Sequence, residues 1–559
     1  MCSDEFHNMT LHLSRSVCRY IGSYLLGTSH IKMRYYVKYG LHIHLQKYPF
    51  YFDFQTKKVT FAFIVKQIST DIQVADMDTL KEKTAKSFFW GAMNNGVTQL
   101  LNFIIGIFLL RLLTPSDYGI VGVLTIFTLI AGNIQACGFT QGLSNLKSPT
   151  ANDYNSVFWF NIIVSVAIYI ILFISAPLIA WFFHQPKLIS LSRFTFLSFL
   201  ISSFGISRNA YMHKNMMNKE RAIIGFVALM SSGTAGITLA SCGYAYWSLA
   251  WQQVIYITVA NMGRYYYTHK CWKPSLRIDF SPVKRMFGFS VKLLLTSIIN
   301  TLGGNILTFI FGRYLPINAV GNFSQANKWN TMGHTTVSGM IDQVAQPVLV
   351  EVSDDKSREK RVFRKMLSLS ALLSFPALWG LALIADDFTI VLLSEKWADS
   401  VPLLRLLCIS GAFMPFYNMF QQLSISNGRS DIYLKCSSLQ IIFQVAFIML
   451  FIHEGVVVMT GAYAIFTILY LLVWFFCVRK LISISLKEVF KDIFPFVSTA
   501  AIAMTATYFA TLFISIAEIR LVIRIVVAAL LYFGVMKIAR IEMFDECMNF
   551  FMRKLGKRK

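Results

Sequence analysis

Charge is scarce in this chain. Asp, Glu, Lys and Arg together make up 14% of the 559 residues, against 55% hydrophobic residues and a mean hydropathy of +0.54. A soluble globular domain carries about 25% charged residues, so the composition excludes one. Acid is scarcer than base, with 28 Asp and Glu against 52 Lys and Arg and a net charge of +24. The nine cysteines (2, 18, 137, 242, 271, 408, 436, 477 and 547) are scattered, mostly in or beside apolar runs. Their spacing gives neither a disulfide framework nor a zinc site. The Gly-rich loop ending in Lys-Ser/Thr, the His-Glu-x-x-His helix and the Gly-x-Ser-x-Gly elbow are all missing. Nothing in the chain calls for a metal, a cofactor or catalytic chemistry.

What is present is a succession of apolar runs of membrane-spanning length, which makes the chain an all-α polytopic membrane protein. The runs predict fourteen spans, at 88–112, 118–139, 155–183, 188–208, 221–242, 246–267, 286–312, 318–350, 365–385, 401–427, 432–452, 455–478, 493–516 and 519–540. With the residues before Phe88 inside, the inside loops and flanks hold 33 Lys and Arg and the outside connections hold eight. That asymmetry places both termini in the cytoplasm. The positive charge is therefore topology, with a secondary attraction to anionic lipid, and nucleic acid is not needed to explain it. The outside connections are short, the longest running from about 386 to 400, which leaves little room for an external catalytic domain.

Residues 1–76 contain neither a spanning run nor a signal peptide of the usual build, and the character changes at Met77. They read as an extension, disordered or outside the functional chain. The expected organisation is then a first lobe at 77–267, a second at 268–480, two further spans within 481–540 and a basic cytoplasmic tail at 541–559. The lobes echo one another. Arg111-Leu-Leu-Thr-Pro-Ser-Asp-Tyr-Gly119 closes the first span and Arg313-Tyr-Leu-Pro-Ile-Asn-Ala-Val-Gly321 closes the seventh, an offset of 202 residues. Six spans return the chain to the same side, so the repeat is parallel, about an axis along the membrane normal.

Polar residues recur at helical spacing inside several spans. In the eighth they are Gly321, Gln325, Lys328, Met332, Thr335, Gly339, Asp342 and Gln346. In the first they are Gly91, Asn95, Thr98, Asn102 and Gly106; in the second Gly122, Thr125, Gly132 and Gln135; in the seventh Lys292, Thr296, Asn300 and Gly303. A charged side chain at membrane depth costs at least about 2.5 kcal/mol and normally faces a protein interior or water. The stripes thus form either the wall of a polar cleft between the lobes or a hydrogen-bonded seam. Lys292 and Lys328 offer two stations for an anionic group, with Arg313 near the outer mouth; both lysines are also placed to snorkel. Asp342 lies roughly 21 Å along the helix from Lys328, too far for an ion pair. It is either a solvated carboxylate or a proton or cation site. His334 reads as a hydrogen-bonded core histidine. The segments 208–221 and 264–285 are basic and aromatic, which suits interface anchors and also a surface that attracts a diphosphate head group.

Several short motifs carry a resemblance. Lys-Ser-Phe-Phe-Trp-Gly (86–91), Leu-Thr-Pro-Ser-Asp-Tyr-Gly-Ile-Val (113–121), Gly-Phe-Thr-Gln-Gly-Leu (138–143), Ser-Glu-Lys-Trp (394–397) and Ser-Asn-Gly-Arg-Ser-Asp (426–431) resemble the Wzx-type polysaccharide flippases of the MOP exporter superfamily, near the colanic-acid exporter branch. The resemblance covers about residues 77–540. It implies two six-helix lobes around a central cleft plus two extra helices. It also implies alternating-access movement of an undecaprenyl-diphosphate-linked oligosaccharide across the bacterial inner membrane, with a polysaccharide polymerase as a possible partner. Basic cleft residues of relatives engage the diphosphate, a role that falls here to Lys292, Arg313 and Lys328; the polar stripes themselves, apart from the resemblance, offer Asn95, Asn102, Asn300 and Gln325 as further substrate contacts and Asp342 as the ion-coupling candidate. The alternatives are a cation-coupled drug antiporter of the same superfamily, which would favour acidic cleft residues, and a polymerase or glycosyltransferase, which would need larger outside loops.

Overall fold

The computed structural model describes residues 96–548 apart from 137–142, 144, 145, 147, 148, 277, 278, 353, 354, 542 and 547. At 286, 289, 292, 293, 342–348, 350, 351 and 430 the backbone alone is described. The reading of residues 1–76 as an extension, most of the tail, and the side chains of Asn95, Lys292 and Asp342 lie outside that description.

The described residues form helices and connections, with no strand among them. In chain order the helices are α1 Gly96–Leu112, α2 Pro115–Ala136, α3 Ala151–Phe182, α4 Leu188–Lys214, α5 Asn218–Ser241 and α6 Tyr246–Thr268. Next come α7 Ser281–Tyr314, α8 Ile317–Glu351, α9 Lys356–Leu383, α10 Ser400–Gly411, α11 Met414–Ser426 and α12 Ser430–Met449. The last are α13 Gly455–Val478, α14 Leu486–Ala510 and α15 Ala517–Ile538. Eleven segments are long and apolar enough to span, with α10 and α11 counted together. The three helices outside that set, α1, α6 and α8, bring the total to the expected fourteen. α1 is described only from Gly96 onward, α6 and α8 fall short in apolar character, and all three wall a polar cavity.

Local chemistry fixes several ends. Thr150 and Asp153 make a reciprocal capping box at the start of α3, and Ser485 and Glu488 make another at α14. The carboxylate of Asp355 accepts the N–H groups of Ser357 and Arg358 at 3.0 and 3.1 Å. It thereby starts α9 nine residues before the predicted 365, because a cap works irrespective of the charged turns that follow it. The tenth span, predicted as continuous, is broken after Gly411. Pro415 cannot donate the N–H that would bond the Gly411 carbonyl, and α11 starts anew around it. The neighbouring Ala412 carbonyl is satisfied instead by the Ser374 hydroxyl of α9 at 2.7 Å.

Within the first six helices α3 packs with α4, α5 with α6 and α4 with α6. In the second set α8 packs against α9, α10 and α11, and α13 against α10 and α12. The lobes meet where α2 lies along α7 and α8. The last two helices dock on the second lobe through α9. Arg364 grips Asp492 bidentately at 2.7 and 2.8 Å, and the Tyr532 hydroxyl donates to the Leu372 carbonyl at 3.0 Å. At the opposite end of α9 the fully buried Asp387 bridges Arg520 and Arg524 of α15, each at 2.7 Å. One contiguous apolar core runs through both lobes and this hairpin, with Phe183, Phe311, Phe323, Phe375, Trp397 and Tyr532 among its members.

Candidate functional site

A cavity of about 690 Å³ opens between the lobes. Its first-lobe wall is Thr98, Gln99 and Asn102 of α1, Gly122 and Thr125 of α2, Ser232 of α5, and Gln252, Gln253 and Tyr256 of α6. Its second-lobe wall is Asn305 and Thr308 of α7, with Ser324, Gln325, Asn327, Lys328, Thr331 and Thr335 of α8. The described lining is rich in amides and hydroxyls, contains no carboxylate, and carries one formal charge, Lys328. That lysine lies deep in the bundle and is nonetheless exposed, because the space it faces is the cavity itself. Its Nζ stands 5.9 Å from the Trp329 ring and beside Gly106 of the facing lobe. Trp329 is pinned in turn by edge contacts with Phe103 and Phe388, at 5.3 and 5.2 Å between centroids.

The residues predicted for this role divide. Asn102, Gln325 and Lys328 line the cavity. Asn300 does not: it faces α12, where its Oδ1 accepts from the Tyr433 hydroxyl at 3.0 Å, and Asn305 and Thr308 are the α7 residues that reach the cavity. Gln135 is also turned away. It knits α2 to α3 and α4, donating to Ser165 Oγ and the Phe199 carbonyl at 2.6 Å and accepting from Ser202 at 2.7 Å. Gly303 packs on Ile441. His334 differs from the expected hydrogen-bonded histidine, since its buried Nδ1 has no partner. Gln99, Gln252, Gln253, Tyr256, Asn305 and Asn327 were not singled out from the sequence, although a Gln-Gln pair inside a span was a visible signal.

Arg313 lies at the end of the cavity that is closed. Here the two repeated segments clasp each other across the lobes. A β-carbon on Gly119 would lie 2.0 Å from the Ile317 carbonyl oxygen, and one on Gly321 would lie 1.8 Å from that of Pro115. Residues 115 and 317, like 119 and 321, are 202 apart, so this contact is self-complementary: each lobe presents the same patch to the other, as about a two-fold axis. The arginines exchange in the same sense. Arg111 donates to the Leu392 and Val391 carbonyls of the second lobe at 2.9 and 2.5 Å, and Arg313 donates to the Phe182 carbonyl of the first at 2.5 Å. Arg313 also lies 3.1 Å from the His184 ring nitrogens. Trp397 Nε1 donates to the Leu110 carbonyl at 2.9 Å and Lys396 to that of Arg111 at 2.6 Å. Desolvation by burial in this connection pulls the Lys396 ammonium below its ordinary pKa. Hydrogen bonds from charged donors to carbonyls are worth about 1.5–3 kcal/mol each, so the clasp seals this end firmly while remaining separable.

Residues 108–402, more than half the chain, match the family described as "Polysaccharide biosynthesis protein". The chain is 26% identical over 411 residues to the teichuronic acid biosynthesis protein TuaB of Bacillus subtilis, covering 72% of this chain and 85% of that one. It is 24% identical over 361 residues to the lipopolysaccharide biosynthesis protein WzxC of Escherichia coli, covering 64% and 73%. Its fold is similar to that of the lipid II flippase MurJ in an inward closed conformation, with a TM-score of 0.62 at 12% identity over 83% of this chain and 99% of the other.

Proposed function

Because the chain belongs to the polysaccharide biosynthesis protein family, we propose that it is a flippase, carrying undecaprenyl-diphosphate-linked oligosaccharide across the bacterial inner membrane by alternating access. The observation that carries this reading is the cavity between two like-oriented lobes, polar, lined by amides and hydroxyls, and bearing one lysine. Its volume falls within the roughly 300–1,000 Å³ of ligand pockets. Amide and hydroxyl side chains suit the hydroxyls of sugars, each being able to donate and accept. Lys328 supplies the positive charge that an anionic head group needs at membrane depth, while the lipid tail stays in the bilayer.

In this assignment the end bearing Arg208, Arg264, Arg285 and Lys360 faces the cytoplasm, as the excess of base there requires. The clasp of Arg111 and Arg313 then faces the other side, and the state described is one closed to the exterior. Transport requires the clasp to part as the lobes rock and the opposite end to close. No bond is made or broken in the cargo. Asn102 and Gln325 act as polar contacts beside Lys328, and Arg313 acts on the gate.

The test is reconstitution into liposomes with a labelled polyprenyl-diphosphate glycan. Lys328→Ala is expected to reduce translocation by about tenfold or more, the equivalent of ~1.4 kcal/mol, with Lys328→Arg retaining most of it. Parent-like movement by the alanine variant would remove Lys328 from the site. No movement of any such glycan by the parent protein would remove the function.

A further inference from the structure

A second basic site lies away from the cavity, at the ends of α4, α5 and α6. Arg208 is 5% exposed, and its Nη1 donates to Thr268 Oγ1 at 2.8 Å. Its guanidinium lies 4.7 Å from the Tyr265 ring and 5.4 Å from that of Trp272. Arg264 Nη1 donates to Asn261 Oδ1 at 2.8 Å and packs where Gly205 of α4 leaves room for it. Arg221, within electrostatic reach of both Arg264 and His213, donates to Asn218 Oδ1 at 3.3 Å. Every partner the structure gives these three arginines is neutral. Glu220 is the only acid between residues 188 and 268, and among the described ion pairs it joins none of them. Partly buried charge without a counter-charge is costly, and an anion from outside the chain relieves it.

Next to this cluster runs an apolar groove of about 960 Å³ between α5 and α6, lined by Ile223, Val227, Val259, Met262 and Tyr266. Met262 is 67% exposed and Tyr266 69%. On α5 the groove and the central cavity lie on opposite faces. Val227 lines the groove and Leu229 lines the cavity, and two residues along a helix turn through roughly 200°, to the opposite face. Cationic cluster and apolar groove adjoin through two shared residues, since Tyr265, under the Arg208 guanidinium, and Asn261, bonded by Arg264, both line the groove.

We propose that this place holds an anionic glycerophospholipid of the inner leaflet, its phosphate on Arg208, Arg221 and Arg264 and an acyl chain in the α5–α6 groove. The leaflet rests on the orientation given under the proposed function; the site itself does not. Glycerophospholipid is favoured over the cargo because the groove and the cavity occupy opposite faces of α5. Such a lipid ties the ends of three helices into one body and anchors the first lobe to the membrane surface while the other rocks against it.

The full chain, purified in mild detergent, is titrated separately with dioleoyl-phosphatidylglycerol and dioleoyl-phosphatidylcholine, and retained lipid is counted by native mass spectrometry. Phosphatidylglycerol is expected to be retained about tenfold or more over phosphatidylcholine. The Arg221→Gln/Arg264→Gln protein should lose that preference, and Arg361→Gln, on an exposed basic position of the second lobe, should keep it. Equal retention of the two lipids by the parent protein overturns the proposal without any variant having to fold. So does a preference that survives the double substitution. Displacement of phosphatidylglycerol mole for mole by undecaprenyl diphosphate would make the cargo the occupant and overturn the choice made here. None of these readings depends on transport, so failure of the site and failure of the flippase reading are separable.

Discussion

The Nζ of Lys328 lies 3.5 Å from the point that a β-carbon would take on Gly106, so the one charge in the described cavity wall occupies a recess that the facing helix leaves by having no side chain. An added methyl would meet the ammonium at ordinary contact distance, and a longer side chain would displace it. Gly106→Ala should translocate within about twofold of the parent. Gly106→Leu should fall by about tenfold, again ~1.4 kcal/mol, with little change in melting temperature. Equal rates for Gly106→Leu and the parent in the liposome assay would mean that the recess is not where the head group is met.

The glycines of the clasp behave differently, since what they meet is backbone. A β-carbon on Gly321 has nowhere to go at 1.8 Å from the Pro115 oxygen, and only separation of α2 from α8 relieves it. Overpacking of this kind costs about 1–3 kcal/mol, charged to the sealed state alone, and it shifts the population toward a state open at that end. Ser324→Cys, in an otherwise cysteine-free protein, should react several-fold faster with an impermeant thiol reagent when Gly321→Ala is added. Gly119→Ala should produce the same change, because its contact with Ile317 is the counterpart 202 residues away. A response to one glycine and not the other would contradict the two-fold character of the seal.

Asp387 holds two arginines at once and is fully buried, whereas Arg520 is 23% exposed and Arg524 4%. Asp387→Ala leaves two guanidiniums facing each other without their acid, and it is expected to destabilise by about 3–5 kcal/mol. Arg520→Ala, removing the better solvated partner, should cost far less. Thermal unfolding in detergent orders the two variants, and a smaller loss for Asp387→Ala than for Arg520→Ala would refute this account of how α15 is held.

Much of the site was legible in the sequence for one reason: a polar group inside an apolar helix is expensive, so Asn102, Gln325 and Lys328 announced a wet face. Periodicity gives a face but not the neighbour it meets. Asn300 and Gln135 carried the same signal as Asn102, yet one is bound by Tyr433 and the other by Ser165 and Ser202, partners more than 25 residues distant in sequence. Gln252 and Gln253 escaped because α6 has no long polar stripe to flag them. The paired Arg-to-Gly segments were visible as a repeat, but their role was not. That role lies in each segment touching the other, a relation that an internal repeat allows and does not require. The break at Gly411 follows from the Pro415 ring, but the hydroxyl that closes it comes from Ser374 on another helix, which local sequence cannot supply.

The clasp has a consequence for how alike the two halves must be. A patch that fits its own copy is what a cyclic dimer needs, and here both copies sit on one polypeptide, held at a fixed stoichiometry. Only the touching patch has to match its counterpart for this, so the two halves can differ elsewhere. The walls of the chamber do differ, with Gln99, Gln252 and Gln253 on one side and Gln325 beside the lone ammonium of Lys328 on the other, while the glycines of the clasp match.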